Sequence, residues 1–330
     1  MQDCNALKWH RSKTPNHIYP VLGNLSAQGQ LSGWRSKFHY LEQHGCTRLS
    51  KTNGDWKMLL VLKRLLMSLA AAAYVLYASG AMAQTKPKVT GLGPDYPKTA
   101  IFIGNSFFYY NNGLPGHLSL MEKAADPANK AAYRNTMVTI GGSGFDWHDV
   151  ENYLRPDAIG KYSFDDNNNV VFNKPGKMFD VAVMMDCSQC PIHPTLKSVF
   201  TDYARKNSEI VRAKGLKPIF FMSWAYADKP EMTAQLAEAY TVAGNESEAL
   251  VIPVGLAFAR AVLKQPELNL YAPDKRHPSL AGTYLATCVV FAAMTGKSPV
   301  GNTYLAGIDA PTAQFLQTVA AETVQDYYAR

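Results

Sequence analysis

Five short apolar runs punctuate the chain, at Thr99–Ile103, Thr136–Ile140, Phe179–Met185, Pro218–Met222 and Leu250–Val254. Each is nearly continuous rather than alternating, and rich in Val, Ile, Phe or Met. That pattern predicts strands buried on both faces, as in a parallel sheet. Amphipathic stretches such as Thr195–Lys214 and Glu231–Ala243, bounded by Pro or Gly, predict intervening helices. Two more helices, Ser279–Thr295 and Pro311–Tyr328, are predicted to finish the chain. Strand alternating with helix implies a parallel sheet carrying helices on both faces. Tyr162–Asn173, with Asp165-Asp166-Asn167-Asn168-Asn169 between two apolar pairs, reads as an inserted hairpin. No internal repeat or linker interrupts residues 84–330, which read as one domain.

Composition changes this picture mainly by exclusion. With 330 residues and 47% hydrophobic content, a sizeable core is available and a mainly disordered chain is excluded. Five cysteines are too few for a disulfide scaffold. The net charge of +7 is concentrated at the N-terminus, where residues 1–83 hold 10 of the 33 Lys and Arg but 3 of the 26 acids. The remainder carries 23 basic and 23 acidic groups, so a nucleic-acid partner loses its electrostatic footprint.

The excess sits around a leader. Lys57 to Arg64 is basic at its ends, Leu65 to Ala78 is uncharged, and Ala81-Met82-Ala83 closes with small residues. These are the three parts of a secretory signal peptide spanning 58–83, with cleavage expected before Gln84 and a periplasmic or secreted location. The alternative is an uncleaved anchor, for which the run is short. Residues 1–57 show no helical or strand period and are expected to be a non-native or disordered extension, with translation starting at Met58.

Ligands of open α/β sheets bind beyond the carboxyl ends of the strands. Following the runs there stand Gly104-Asn105-Ser106-Phe107, Gly141-Gly142-Ser143-Gly144 and Asp186-Cys187-Ser188-Gln189-Cys190-Pro191; farther on comes Asp274-Lys275-Arg276-His277. A serine hydroxyl needs an adjacent imidazole to take its proton, and the imidazole needs a carboxylate to fix its tautomer. Ser106, His277 and Asp274 supply that set, and glycine loops supply N–H donors for a developing oxyanion. Each fragment is weak alone, since a serine after a strand is most often a helix cap. Their conjunction at strand ends points to acyl transfer.

The order of these blocks resembles that of the SGNH (GDSL-type) hydrolases, a family of esterases, lipases and carbohydrate deacetylases. Ile103-Gly104-Asn105-Ser106 stands for the usual Gly-Asp-Ser, Gly144 for the glycine of the second block, and Asp274-x-x-His277 for the last. The resemblance implies a three-layer α/β/α fold with a flavodoxin-like, five-stranded parallel sheet. It also implies a serine esterase acting on O-acetylated carbohydrate or a short acyl ester. Catalysis would fall to Ser106, Asp274 and His277, with the oxyanion held by Ser106, Gly144 and a third donor. The third block departs from the family's Gly-x-Asn-Asp, so Gln189 is the nearest amide and Ser188 a second candidate. A subgroup with Gly-Asn-Ser and a modified third block fits best. A catalytically impaired carbohydrate or cell-envelope binding protein is the alternative, and a thiol-redox protein a weaker one.

Asn105, Phe107, His148 and Trp224 are the candidate substrate contacts, although His148 reads equally as packing, and the aromatics also suit a core. His117 reads as surface or packing and His193 as loop structure. Cys187 and Cys190 fit a local disulfide in an exported chain better than a redox pair, with Cys288 buried and free. No group of residues shows metal-ligand spacing, and neither metal nor cofactor is expected.

Overall fold

The computed structural model describes residues 85–329 apart from 95, 129–132, 157, 160–161 and 173–176. The leader and the N-terminal extension lie outside the described residues. Five parallel strands form the main sheet: β1 (Thr99–Gly104), β2 (Arg134–Thr139), β5 (Val181–Met184), β6 (Lys217–Phe221) and β7 (Leu250–Ile252). Their order is β2-β1-β5-β6-β7. Two strands, β3 (Tyr162–Phe164) and β4 (Val170–Phe172), pair antiparallel as the inserted hairpin. Its turn is held by the Asp165 carboxylate, which accepts the N–H groups of Asn167 and Asn169.

Without the hairpin the order is that of a doubly wound flavodoxin-like sheet, whose connections reverse direction beside β1. The helices are α1 (Ser106–Tyr109), α2 (Leu114–Ala125), α3 (Val150–Tyr153), α4 (Lys197–Ala213), α5 (Met232–Glu246), α6 (Val254–Lys264), α7 (Leu280–Thr295) and α8 (Ala310–Tyr328). The crossover through α2 runs one way across the sheet, those through α4 and α5 the other. Right-handed crossovers therefore place α2 opposite α4 and α5, which gives three layers.

The apolar runs became strands because their side chains fill both interlayer spaces. All of β5 and β7, and all but the first residue of β1 and of β6, are buried. The expectation of full burial fails at β2, which is only half covered. It is an edge strand, hydrogen-bonded to β1 alone, so Met137 and the adjacent Ile140 remain exposed.

Helix α7 is apolar all round because it is enclosed: Gly282 through Met294 are buried, and α2, α6 and α8 pack against it. Ser279 caps its start by accepting the Gly282 N–H, and Gly296 ends it in the left-handed conformation at φ 67°. A Cβ on Gly282 would lie 2.2 Å from the carbonyl oxygen of Leu270, which is backbone and cannot yield cheaply.

We therefore expect Gly282→Ala to destabilise the protein by about 1–3 kcal/mol, the usual cost of overpacking. Gly116→Ala, inside α2 with nothing within 4 Å of the new methyl, should instead be neutral or stabilising. Thermal melts of both variants check this. A Gly282→Ala melting temperature equal to that of the parent protein would refute the close-approach argument.

Candidate active site

The parallel register aligns the carboxyl ends of β1, β5, β6 and β7 along one edge, with Ile103 opposite Met184, Met184 opposite Phe220, and Phe221 opposite Ile252. Ser106 leaves β1 at the first position of α1, with Asn105 as the extended cap residue. Its Oγ lies 2.8 Å from Nε2 of His277. Nδ1 of His277 lies 2.5 Å from Oδ2 of Asp274. The other carboxylate oxygen accepts the N–H groups of Arg276 and His277, both at 3.0 Å. The His277 hydrogen bond, followed by these two N–H groups, holds the Asp274 carboxyl down at about 2. The acid therefore stays ionised, as a residue orienting an imidazole must.

The loop carrying the pair is fastened from several sides. Trp224 donates its indole N–H to the Arg276 carbonyl at 2.9 Å, and the Ala227 N–H reaches the Lys275 carbonyl at 3.0 Å. Asn111 donates to the Pro278 carbonyl and to the Thr283 hydroxyl. Lys275 itself sits at φ 64°, a left-handed conformation that costs a non-glycine residue energy and persists only under such restraint. The Tyr110 ring stacks on the His277 ring at 4.1 Å between centroids, 6° from parallel, while Phe107 meets it edge-on at 5.6 Å.

Asn105 does the opposite of what the sequence suggested. Its carboxamide is buried and turned inward, donating to the carbonyls of Ser143 at 3.0 Å and Asp186 at 3.1 Å, and accepting the Phe107 N–H. One side chain thus joins the loops after β1, β2 and β5. An aspartate there would accept from Phe107 but could not, as a carboxylate, donate to the two carbonyls. Asn105 is a loop organiser, with no polar atom of its side chain left for substrate.

The other expected substrate contacts also turn inward. Trp224 is fully buried and stacked between Phe107 and Phe258, at 4.4 and 4.3 Å. Phe107 is 5% exposed and belongs to that stack. His148 is buried, with Nε2 2.9 Å from the Ser143 hydroxyl and 3.1 Å from the Gly104 carbonyl. Burial holds its imidazole below the usual histidine range. These three act from behind the site. Aromatic and imidazole rings near Ser106 do not reveal from sequence which way they face.

The two backbone donors expected from the sequence are both unengaged: among the described residues, neither the Ser106 nor the Gly144 N–H has a hydrogen-bond partner. Gly144 has no space for a side chain, because a Cβ would meet the Asp186 and Asp146 carboxylates at 2.7 and 2.8 Å. The two candidates for the third donor are engaged by other side chains: Gln189 Nε2 lies 4.0 Å from the Met232 sulfur, and Ser188 Oγ 2.6 Å from the Tyr226 hydroxyl. Cys187 and Cys190 are disulfide-bonded across this turn, and Cys288 is free and buried. His117 bonds to Tyr304 and the Asn111 carbonyl, and His193 to Thr195. Among the described residues no cluster of three His, Cys, Asp or Glu is placed to hold a metal ion.

Asp186 is the residue sequence reading passed over. It is 2% exposed, yet its Oδ1 accepts the N–H groups of Cys187 and Phe145, both at 2.8 Å. Its carboxylate therefore ties the second loop to the third. Burial, with Asp146 nearby, pushes the acid up to about 7 despite those bonds. An acidic residue ending an otherwise apolar run was the available signal.

No family model and no curated protein sequence matches the chain. Solved structures similar to it include a DUF4886 family protein from Bacteroides uniformis, at 20% identity over 69% of this chain and 94% of that one, with a TM-score of 0.48. A putative SGNH hydrolase from Slackia heliotrinireducens aligns at 23% identity over 59% and 98%, TM-score 0.43. A mutant of Axe2, an acetylxylan esterase from Geobacillus stearothermophilus, aligns at 15% over 62% and 95%, TM-score 0.42. The neighbours thus include SGNH hydrolases, the class that the sequence blocks resemble. The three-layer fold stands on the strand order and connections, independent of these likenesses.

Glu122 forms a second buried carboxyl, bonded to the Tyr96 hydroxyl and to Asn135, and burial raises it to about 7 as well. The folded protein therefore keeps protons that an unfolded chain, with reference values of 3.8 and 4.5, has lost. These two groups make stability greatest below about pH 4 and lower it as pH rises to about 7, where the loss levels off. Asp186→Asn keeps an acceptor oxygen but cannot ionise. Its melting temperature relative to the parent should rise between pH 5 and pH 8. An unchanged difference at the two pH values would show that Asp186 ionises as freely in the folded chain as in the unfolded one.

Proposed function

We propose that this chain is a serine esterase that cleaves carboxylic esters, an O-acetylated carbohydrate or a short acyl ester, through an acyl-serine intermediate. The observation that carries the reading is the unbroken line from Ser106 Oγ to His277 Nε2, and from His277 Nδ1 to the Asp274 carboxylate. His277 takes the hydroxyl proton as Oγ attacks the ester carbonyl. The carbonyl oxygen becomes an oxyanion facing the N–H groups of Ser106 and Gly144. As the tetrahedral intermediate collapses, the carbon–oxygen bond to the alcohol breaks and His277 gives that oxygen the proton. Water, deprotonated by the same imidazole, then attacks the acyl-serine and releases the acid, returning the proton to Ser106.

A second reading, a binding protein of impaired activity, draws on one observation: Gln189 and Ser188, the candidates for a third oxyanion donor, are both engaged by other side chains, Met232 and Tyr226. Hydrolysis of p-nitrophenyl acetate separates the two. The parent protein should turn it over and should be labelled at Ser106 by a fluorophosphonate. Ser106→Ala and His277→Ala should each lose both activities. Asp274→Asn should lose a factor on the order of 10⁴ in turnover, as in the serine-protease precedent. Full hydrolysis by His277→Ala, or labelling at another serine, would sink the esterase reading.

We also propose that the protein is exported. The basic start, uncharged core and Ala81-Met82-Ala83 end support this, as does a disulfide, which persists in oxidising compartments. Among the described residues no helix is long and apolar enough to cross a membrane. Protein recovered from its native host should begin at Gln84 on N-terminal sequencing. Recovery with residues 58–83 intact in the membrane fraction would contradict cleavage.

A further inference from the structure

A run of aromatic rings leads outward from His277 over the surface. Tyr110 stacks on the imidazole, and Tyr109 follows with its ring centroid 5.9 Å from that of Tyr110 at 28°. Tyr109 is 41% exposed, and its hydroxyl stands 3.6 Å from where a Cβ on Gly141 would lie. It therefore borders the start of the glycine loop. Trp147 stands three residues past Gly144 at the far end, its backbone N–H closing a helical turn on the Gly144 carbonyl at 3.2 Å. Within that short helical turn Phe145 is 2% exposed and Trp147 58%. The turn sends one aromatic into the core and leaves the other in solvent.

Large aromatic surface left in water beside a reactive group marks a contact with something apolar and flat on one side. The position of the rings identifies which part of an ester they meet. His277 protonates the departing oxygen, so the surface that starts at its ring adjoins the alcohol of the ester. The glycine loop adjoins the carbonyl oxygen. A sugar ring has an apolar face of C–H groups and a rim of hydroxyls, which suits Tyr and Trp, whose rings are apolar and whose O–H and N–H tips are polar. An alkyl chain would favour an enclosed apolar slot, whereas these rings are open to solvent.

We propose that Tyr109 and Trp147 form a platform for the sugar rings of an O-acetylated glycan, holding the acetyl ester against Ser106. This rests on the esterase reading above and narrows its substrate to the carbohydrate class. Exposed Met137 and Ile140, next to the same loop, offer the contrasting possibility of an acyl-chain contact, and the experiment discriminates between them.

Binding is measured by calorimetry on Ser106→Ala protein, which cannot turn the ligand over, with O-acetylated xylo-, cello- and chito-pentasaccharides as probes. At least one should bind. Adding Trp147→Ala or Tyr109→Ala should weaken that binding about tenfold, and Trp147→Phe, which keeps a ring, should weaken it less. Leu263→Ala, at an 83% exposed apolar position on α6, should leave it unchanged. The proposal is overturned if none of the pentasaccharides binds, or if the Trp147 and Tyr109 variants bind as tightly as their parent. It is equally overturned if, in the Ser106 protein, Trp147→Ala lowers kcat/KM progressively as the acyl chain of p-nitrophenyl esters lengthens. The two readings fail separately. Glycan binding by a protein inactive on every ester would leave the platform standing and remove the esterase. Hydrolysis of p-nitrophenyl acetate without glycan binding would do the reverse.

Discussion

The site depends on one buried carboxamide. Asn105 holds the carbonyls of Ser143 and Asp186 with its two amide hydrogens while its oxygen caps the turn into α1. Three loops from three strands are thereby brought to fixed spacing at the end of the sheet. Leaving either carbonyl unpartnered in this buried place would cost about 1–3 kcal/mol, the usual penalty for an unsatisfied polar group. A side chain that both donates twice and accepts is required, and among residues of this length only asparagine meets that need.

A second set of restraints works on the opposite partner. His277 sits in a loop strained at Lys275, yet the Trp224 indole, the Ala227 amide and Asn111 each hold one of its carbonyls. Trp224 is itself fixed by stacking between Phe107 and Phe258, so the residue next to Ser106 helps position His277. The aromatic core and the polar site are one construction: the rings supply rigidity, and the backbone carbonyls they hold supply direction.

Much of this was legible along the chain. Near-continuous apolar runs mark buried parallel strands, because a strand covered on both faces has no polar side to show. Ser106, Asp274 and His277 could be singled out from the sequence as a serine, an acid and an imidazole beyond the strand ends, and the structure brings their side chains within hydrogen-bond distance. What sequence did not reveal was direction. Asn105, Phe107, His148 and Trp224 were candidates either to contact substrate or to pack, and all four face inward, since nothing local distinguishes a ring that lines a site from one that braces it. Likewise the edge position of β2 follows from the strand order, which emerges only when the helices have chosen their faces. Asp186 was hidden because its partners, the N–H groups of Phe145 and Cys187, belong to different loops.

The enclosed helix α7 has a consequence for how the protein comes into being. The loop bearing Asp274 and His277 runs directly into its start, and the helix has no polar face with which to exist alone in water. It is stable only once α2, α6 and α8 surround it. Ser106 and His277 are 171 positions apart, so their meeting is a long-range contact that local structure alone cannot make. The pairing of serine and imidazole thus waits on the packing of the aromatic and apolar core: with α7 not yet enclosed, a chain has Ser106 and no seated His277.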